Sequence, residues 1–335
     1  MSWKVLITAR TLNVESVGAR ALALLREAGC ELVHPPKYGP LTTAELLPLI
    51  EGVDTVFASM DKFTADVLTS KSAVQLKLIS RWGVGFDAID VPAATKQGIV
   101  VAYTPGLLND AVADYAMALL FALARRVHEG HLSMRQGQWA SGWGHDIAGK
   151  TLGIIGCGRI GQAVAKRARG FDMSLLGYDI APNADAEKLG IRFVPLDELL
   201  TQSDFVTLHA ALTPETRGLI GEAQLRRMKS SAYIINTARG AIMDEAALFR
   251  ALSEKWIAGA ALDAFVVEPL PADHPLRTAP NVLLTPHQAS FGYDTGARVS
   301  EAAAQAIVDL QAGRKPKWVV NSEVFQSSAL RARLQ

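Results

Sequence analysis

Along most of the chain, apolar runs of four or five residues alternate with longer stretches whose apolar positions recur at helical spacing. The runs at 4–8, 31–34, 55–58, 76–80 and 99–102 read as strands, and helical stretches near 16–28, 43–50, 64–69 and 91–96 lie between them. Short loops in this β-α-β-α order predict an open parallel sheet. Thr104-Pro105-Gly106 then interrupts the pattern and marks a boundary. Asn109 or Asp110 can cap the next helix, over 111–127, which is apolar almost all round (VADYAMALLFALA). Such a helix is expected to be buried on several sides or to lie at a subunit interface. Residues 130–149, rich in Gly, Trp and His, read as irregular.

The alternation resumes with a run at 152–155, a helix to about 171 and a run at 174–178. Strands follow at 192–194, 205–209, 233–237, 258–264 and 282–285, with helices at 196–201, 222–228 and 244–253. This makes a doubly wound sheet of about seven strands, whose ligands bind at the carboxyl ends of the strands. A last helix, 293–311, is expected to return to the N-terminal half. The predicted fold is α/β with two doubly wound parallel-sheet domains: 1–104 with 290–335 as a discontinuous substrate-binding domain, and 105–289 as a nucleotide-binding domain.

The chain is organised around 151–179, TLGIIGCGRIGQAVAKRARGFDMSLLGYD. Gly156, Gly158 and Gly161 follow the first strand in the spacing G-x-G-x-x-G, and Asp179 ends the second strand 18 residues after the last glycine. The first glycine makes the tight turn, the second lets a pyrophosphate approach the backbone, and the third lets helix and strand pack closely. The helix N-terminus offers unpaired N–H groups to the phosphates, and an acid at the end of the second strand accepts hydrogen bonds from the adenosine ribose. Alone, the glycines describe no more than a turn; strand, helix, second strand and terminal Asp in register predict a dinucleotide site, with NAD as cofactor.

Composition narrows the classes. A length of 335 residues favours two domains. The net charge of +1 gives no electrostatic case for nucleic acid or an anionic membrane. The start, MSWKVLITAR, lacks the apolar core of a signal peptide, and the apolar run at 115–124 is too short to span a bilayer. A cytoplasmic protein is therefore expected. Cys30 and Cys157 suggest no disulfide framework, and His128, His131 and His145 lack acidic or thiol partners at ligand spacing, so no metal is expected.

Polar residues gather at the strand ends of the second half: Thr237 and Arg239, Asp263 and Glu268, then His287. The segments GCGRIGQAVAKRARGFDM, IINTARGAIMDEAAL, LDAFVVEPLP and NVLLTPHQAS closely resemble the D-isomer-specific 2-hydroxyacid dehydrogenase family. SRWGVGFDAIDVPAATKQGI and the TPG segment match the same family's N-terminal half. The resemblance implies a Rossmann nucleotide domain, a flavodoxin-like substrate domain and a homodimer built on the nucleotide domains. Its nearest branch is phosphoglycerate dehydrogenase-like, without a C-terminal regulatory domain. Arg239, Glu268 and His287 fall on the family's catalytic trio. Gly156, Gly158, Arg159, Ile160, Gly161, Asp179, His209, Thr213, Thr237, Ala238, Arg239, Asp263 and His287 are implied cofactor contacts, and Arg81, Val84, Gly85 and Arg239 substrate contacts.

The chemistry accounts for these residue types. Reducing a 2-oxo acid takes a hydride, a proton for the carbonyl oxygen and a clamp on the carboxylate. Histidine suits the proton role because its ordinary pKa of about 6.5 lies near neutrality. Glu268 on the other ring nitrogen would fix the tautomer and favour imidazolium. Arg239 presents a planar fork to the carboxylate, and backbone N–H groups of Gly83-Val84-Gly85 can bind it too. Singly, His287 is a strand-end histidine, Glu268 a turn residue, Arg239 a surface cation and Asp263 a turn cap; their joint occurrence at successive strand ends carries the reading.

The substrate expected first is 3-phosphoglycerate. Against it, the position where phosphoglycerate enzymes usually carry an Arg at the end of the third strand holds Ala58, although Lys62 and Arg81 remain. Glyoxylate or hydroxypyruvate, which need no phosphate site, are the alternatives. A different class, an NAD-responsive corepressor-like binding protein, uses the same fold.

Overall fold

The computed structural model describes residues 2–335. The chain divides into two compact units: one runs to Leu108 and resumes over Phe291–Gln335, and the other is Asn109–Ser290.

The first unit is built on five parallel strands, β1 (Lys4–Ile7), β2 (Glu31–Val33), β3 (Thr55–Ala58), β4 (Leu78–Arg81) and β5 (Val100–Ala102), in the order β2-β1-β3-β4-β5. Every residue of β3, β4 and β5 is buried, as helices on both faces of a parallel sheet require. The Tyr293–Gln311 helix packs on the Glu15–Glu27 helix and against β4. Two hydrogen bonds pin it there: Ser80 Oγ donates to the Ala303 carbonyl at 2.7 Å, and Trp82 Nε1 to Ser300 Oγ at 2.9 Å. A Cβ on Gly296 would stand 3.0 Å from Val17 Cγ1, so glycine permits the close approach of the two helices.

The second unit holds seven parallel strands: β6 (Thr151–Ile155), β7 (Ser174–Tyr178), β8 (Ile191–Phe193), β9 (Phe205–Leu208), β10 (Tyr233–Asn236), β11 (Gly259–Leu262) and β12 (Val282–Leu284). Their order, β12-β11-β10-β9-β6-β7-β8, reverses direction at β6, where the fingerprint lies. Such a switch point leaves a crevice at the carboxyl ends of the strands.

Two local expectations are corrected. The helix expected over 111–127 is Asn109–Ala124, followed by a second helix, Val127–Arg135, where an irregular segment was expected. Arg126 separates them with a left-handed φ of 53°, a conformation that cannot continue a helix. The apolar girdle of the first helix is already covered within the unit, against β10, β11 and the Arg159–Arg169 helix. Exposed apolar surface lies further on instead, at Val127, Leu132 and Met134 and at Trp139 and Trp143, residues 88% and 97% exposed. A short helix, Ala184–Lys188, also escaped the periodicity; one turn capped by Asn183, whose Oδ1 accepts from Ala186 N–H at 3.0 Å, is too brief to show a period.

Candidate active site

The fingerprint turn is set by contacts that leave no room for side chains. Gly156 has φ of 91°, and a Cβ there would stand 2.4 Å from the Ala210 nitrogen, so the turn lies on the backbone that follows β9. A Cβ on Gly161 would fall 2.2 Å from the Gly156 carbonyl oxygen, which is the tight helix–strand approach expected of the third glycine. Gly158 is different: nothing lies within 4 Å of its missing Cβ, and it is exposed at the start of the Arg159–Arg169 helix. Arg159 is exposed beside it and Ile160 is half-buried. Asp179, at the end of β7, accepts from Cys157 N–H at 2.7 Å through Oδ2 and from Ala181 N–H at 3.0 Å through Oδ1. The acid thus holds the fingerprint loop.

Beyond β9, His209 Nε2 lies 2.9 Å from Thr207 Oγ1, and burial pushes the imidazole down to about 3, so the ring is neutral near pH 7. Thr213 belongs to a turn in which its N–H donates to Thr216 Oγ1 at 2.8 Å. Beyond β10, Asn236 is buried and shapes the next turn: its Oδ1 accepts from Ala238 N–H and its Nδ2 donates to the Arg239 carbonyl. Thr237 Oγ1 in that turn is buried without a hydrogen-bond partner. Arg239 donates through one terminal nitrogen to the Ala238 carbonyl at 2.8 Å. A Cβ on Gly240 would stand 2.0 Å from the carbonyl carbon of Phe265, so the arginine turn abuts the loop that carries Glu268.

Glu268 and His287 meet directly, with Nδ1 2.7 Å from Oε2. The other carboxylate oxygen of Glu268 accepts from Phe265 N–H at 2.8 Å. Since a carboxylate accepts, Nδ1 carries the hydrogen and Nε2 is turned to other chemistry. His287 itself sits at φ of 49°, a strained conformation for a non-glycine residue. Asp263 braces it: Oδ1 accepts from Thr285 Oγ1 at 2.6 Å and Gln288 N–H at 3.0 Å, and Oδ2 from Ala289 N–H at 2.8 Å. Burial pushes the Asp263 carboxyl up from the usual range while these donors pull it back.

The sequence profile of the D-isomer specific 2-hydroxyacid dehydrogenase family, NAD binding domain, matches residues 117–289. A glyoxylate reductase of Korarchaeum cryptofilum is 48% identical over 273 residues, covering 79% of this chain and 82% of the relative. A glyoxylate reductase of Thermofilum pendens is 45% identical over 314 residues, 91% of this chain and 92% of the relative. The chain belongs to the D-isomer-specific 2-hydroxyacid dehydrogenase family. The crystal structure of the TT0316 protein of Thermus thermophilus superposes with a TM-score of 0.85 at 41% identity, over 95% of this chain and 99% of that one.

As an NAD-dependent D-2-hydroxyacid dehydrogenase, the second unit fits its cofactor on its own geometry. The open space over Gly158 at a helix start suits a pyrophosphate. The unpartnered hydroxyl of Thr237 awaits a polar ligand atom. Among the described residues no group of His, Cys, Asp and Glu is placed to hold a metal, and no helix is long and apolar enough to cross a membrane.

Of the residues expected to meet the substrate, Arg81 ends β4 in the first unit and is buried. Its Nε donates to the Gly85 carbonyl at 3.0 Å and a terminal nitrogen to Met60 Sδ at 2.7 Å, so the guanidinium grips the loop that holds Val84 and Gly85. Ala58 is the partner of Arg81 in strand register. Asn236 and Thr285 escaped the sequence reading. Their signal was weak: a polar residue at the end of an apolar run, two or three residues before a candidate catalytic one.

Proposed function

We propose that this dehydrogenase reduces a small, unphosphorylated 2-oxo acid, glyoxylate or hydroxypyruvate, to the corresponding D-2-hydroxy acid or glycolate. The observation that carries the choice is the end of β3 and β4, where Ala58 stands beside Arg81 and the guanidinium is engaged by Gly85 and Met60. A phosphate would want a second cation at that place. Relatives named glyoxylate reductase support the same choice over 3-phosphoglycerate.

NADH supplies the hydride when bound. Arg239 holds the substrate carboxylate with its planar fork and polarises the neighbouring carbonyl. In the first unit, Arg81 fixes the loop that carries Val84 and Gly85. His287 gives its Nε2 proton to the carbonyl oxygen, while Glu268 on Nδ1 stabilises the protonated ring and fixes its direction. Asp263 keeps the strained His287 turn in place. The balance is one 2-oxo acid, one NADH and one proton consumed for each hydroxy acid and NAD formed. The exposed apolar surface around Trp139 and Trp143 is covered by a second copy of the chain in a two-fold dimer.

Loss of NADH absorbance with glyoxylate, hydroxypyruvate and pyruvate, set against NAD reduction with 3-phosphoglycerate, tests the substrate. Turnover of glyoxylate or hydroxypyruvate with none on 3-phosphoglycerate is expected; turnover confined to 3-phosphoglycerate overturns it.

A further inference from the structure

The loop that carries Glu268 is held by a second glutamate–histidine pair. Glu245 is the first residue of the Glu245–Ser253 helix, after Asp244, whose side chain caps the helix through Ala246 and Ala247 N–H. Its Oε1 accepts from Val266 N–H at 2.8 Å, and its Oε2 lies 3.3 Å from His274 Nε2. Both side chains are mostly buried, 13% and 22% exposed. His274 Nδ1 accepts from Leu276 N–H at 3.3 Å, so in the neutral ring the hydrogen is on Nε2 and points at Glu245.

The two pairs mirror each other on consecutive peptides. Glu268 takes the N–H of Phe265 with one oxygen and His287 with the other. Glu245 takes the N–H of Val266 with one oxygen and His274 with the other. The turn after Arg239 presses on the same place, since a Cβ on Gly240 would stand 2.3 Å from the Val266 nitrogen. We propose that Glu245 and His274 are positioning residues for the reduction: they fix the Phe265–Val266 backbone so that Glu268 meets His287 at hydrogen-bond distance.

The proposal rests on the reading of Glu268 and His287 as the acid–base pair. If Glu245 is removed, the Val266 N–H loses its acceptor, the loop gains freedom, and Glu268 no longer stays on Nδ1. Misplacement of a catalytic group by about 1 Å can cost on the order of 100-fold, so Glu245→Ala is expected to lower kcat by roughly 10- to 100-fold. The KM for NADH should hold, because Glu245 touches none of the fingerprint residues. The descending limb of the pH profile for reduction should also move to lower pH, since protonated His287 loses its anion. Asp263, the other acid acting on His287, is unchanged in this variant. Glu245→Gln, which keeps an oxygen acceptor for Val266 N–H, should restore most of the rate.

The test is a set of pH–rate profiles for the wild-type enzyme, Glu245→Ala, Glu245→Gln, His274→Gln, Glu268→Gln and the double variant Glu245→Ala/Glu268→Gln. Support is a limb shift in Glu245→Ala, rescue in Glu245→Gln, and little further loss when Glu245→Ala is added to Glu268→Gln. A rate loss without a limb shift, or fully additive losses in the double variant, overturns the positioning role. If Glu245→Ala fails to fold, His274→Gln carries the same comparison. An unchanged profile in Glu268→Gln itself would instead overturn the acid–base reading, which keeps the two failures apart.

Discussion

Replacing Asp179 by serine separates the two tasks of that carboxylate. In the folded protein its oxygens accept from Cys157 N–H at 2.7 Å and Ala181 N–H at 3.0 Å, so its position is fixed, and the adenosine ribose is the ligand group it is expected to meet. A hydrogen bond from a ribose hydroxyl to a charged acceptor contributes about 1.5–3 kcal/mol, so its loss should lower kcat/KM for NADH by roughly 10- to 150-fold. For NADPH the sign is opposite. Two unit charges about 5 Å apart at an effective dielectric of about 20 repel by roughly 3 kcal/mol before salt screening, and serine removes that repulsion from the 2′-phosphate. The loop loss counts against both cofactors, since Cys157 N–H then depends on a shorter side chain. Residues 180–183, Ile-Ala-Pro-Asn, supply no cation for the phosphate. The NADH preference should therefore narrow by at least about 10-fold without a gain in NADPH efficiency to the wild-type NADH level. Asp179→Asn keeps one oxygen, which can still accept from Cys157 N–H, and gives up the charge together with the acceptor for Ala181 N–H. The assay is initial-rate kinetics at saturating glyoxylate with NADH or NADPH varied. A wild-type enzyme that uses NADPH as well as NADH, or an unchanged ratio in Asp179→Ser, refutes the reasoning.

Other predictions follow from the remaining geometry. His287→Ala should lower kcat by roughly 10²–10⁴-fold, the usual contribution of a positioned acid–base group, measured under single-substrate saturation. Glu268→Gln should move the descending limb for reduction to lower pH, because the protonated ring loses its carboxylate; a fixed limb removes Glu268 from that role. Arg81→Ala, which removes the grip on the Gly85 carbonyl, should weaken turnover of glyoxylate and hydroxypyruvate alike, whereas loss confined to 3-phosphoglycerate would restore a phosphate role. Light scattering at micromolar concentration should give about twice 35.9 kDa, with Trp139→Ser/Trp143→Ser shifting it toward the monomer; a monomeric wild type contradicts the dimer.

The strands and most helices were legible because their signals are local. A buried parallel strand needs an uninterrupted apolar run, and a helix laid on it needs apolar residues every three or four positions, so Thr151–Ile155 and Arg159–Arg169 announce themselves. The glycine spacing likewise marks a tight turn and a close approach, as the positive φ of Gly156 and the contact of Gly161 have it, whereas the contact of Gly156 with the backbone after β9 lay outside that reading. The break at Arg126 was not legible, since nothing in its side chain marks a left-handed turn. Burial of the Asn109–Ala124 girdle was expected, but not whether its own unit or a second subunit covers it: an apolar girdle states that it must be covered, not by what. The candidate site divides in the same way. Polar residues at strand ends marked Thr237, Arg239, Asp263, Glu268 and His287, and the family resemblance singled out Arg239, Glu268 and His287 among them. The bond between Glu268 and His287, the brace from Asp263 and the second pair of Glu245 and His274 join residues that lie 19 to 29 positions apart. Such contacts depend on how successive strand ends are brought side by side in the sheet, which no local pattern encodes.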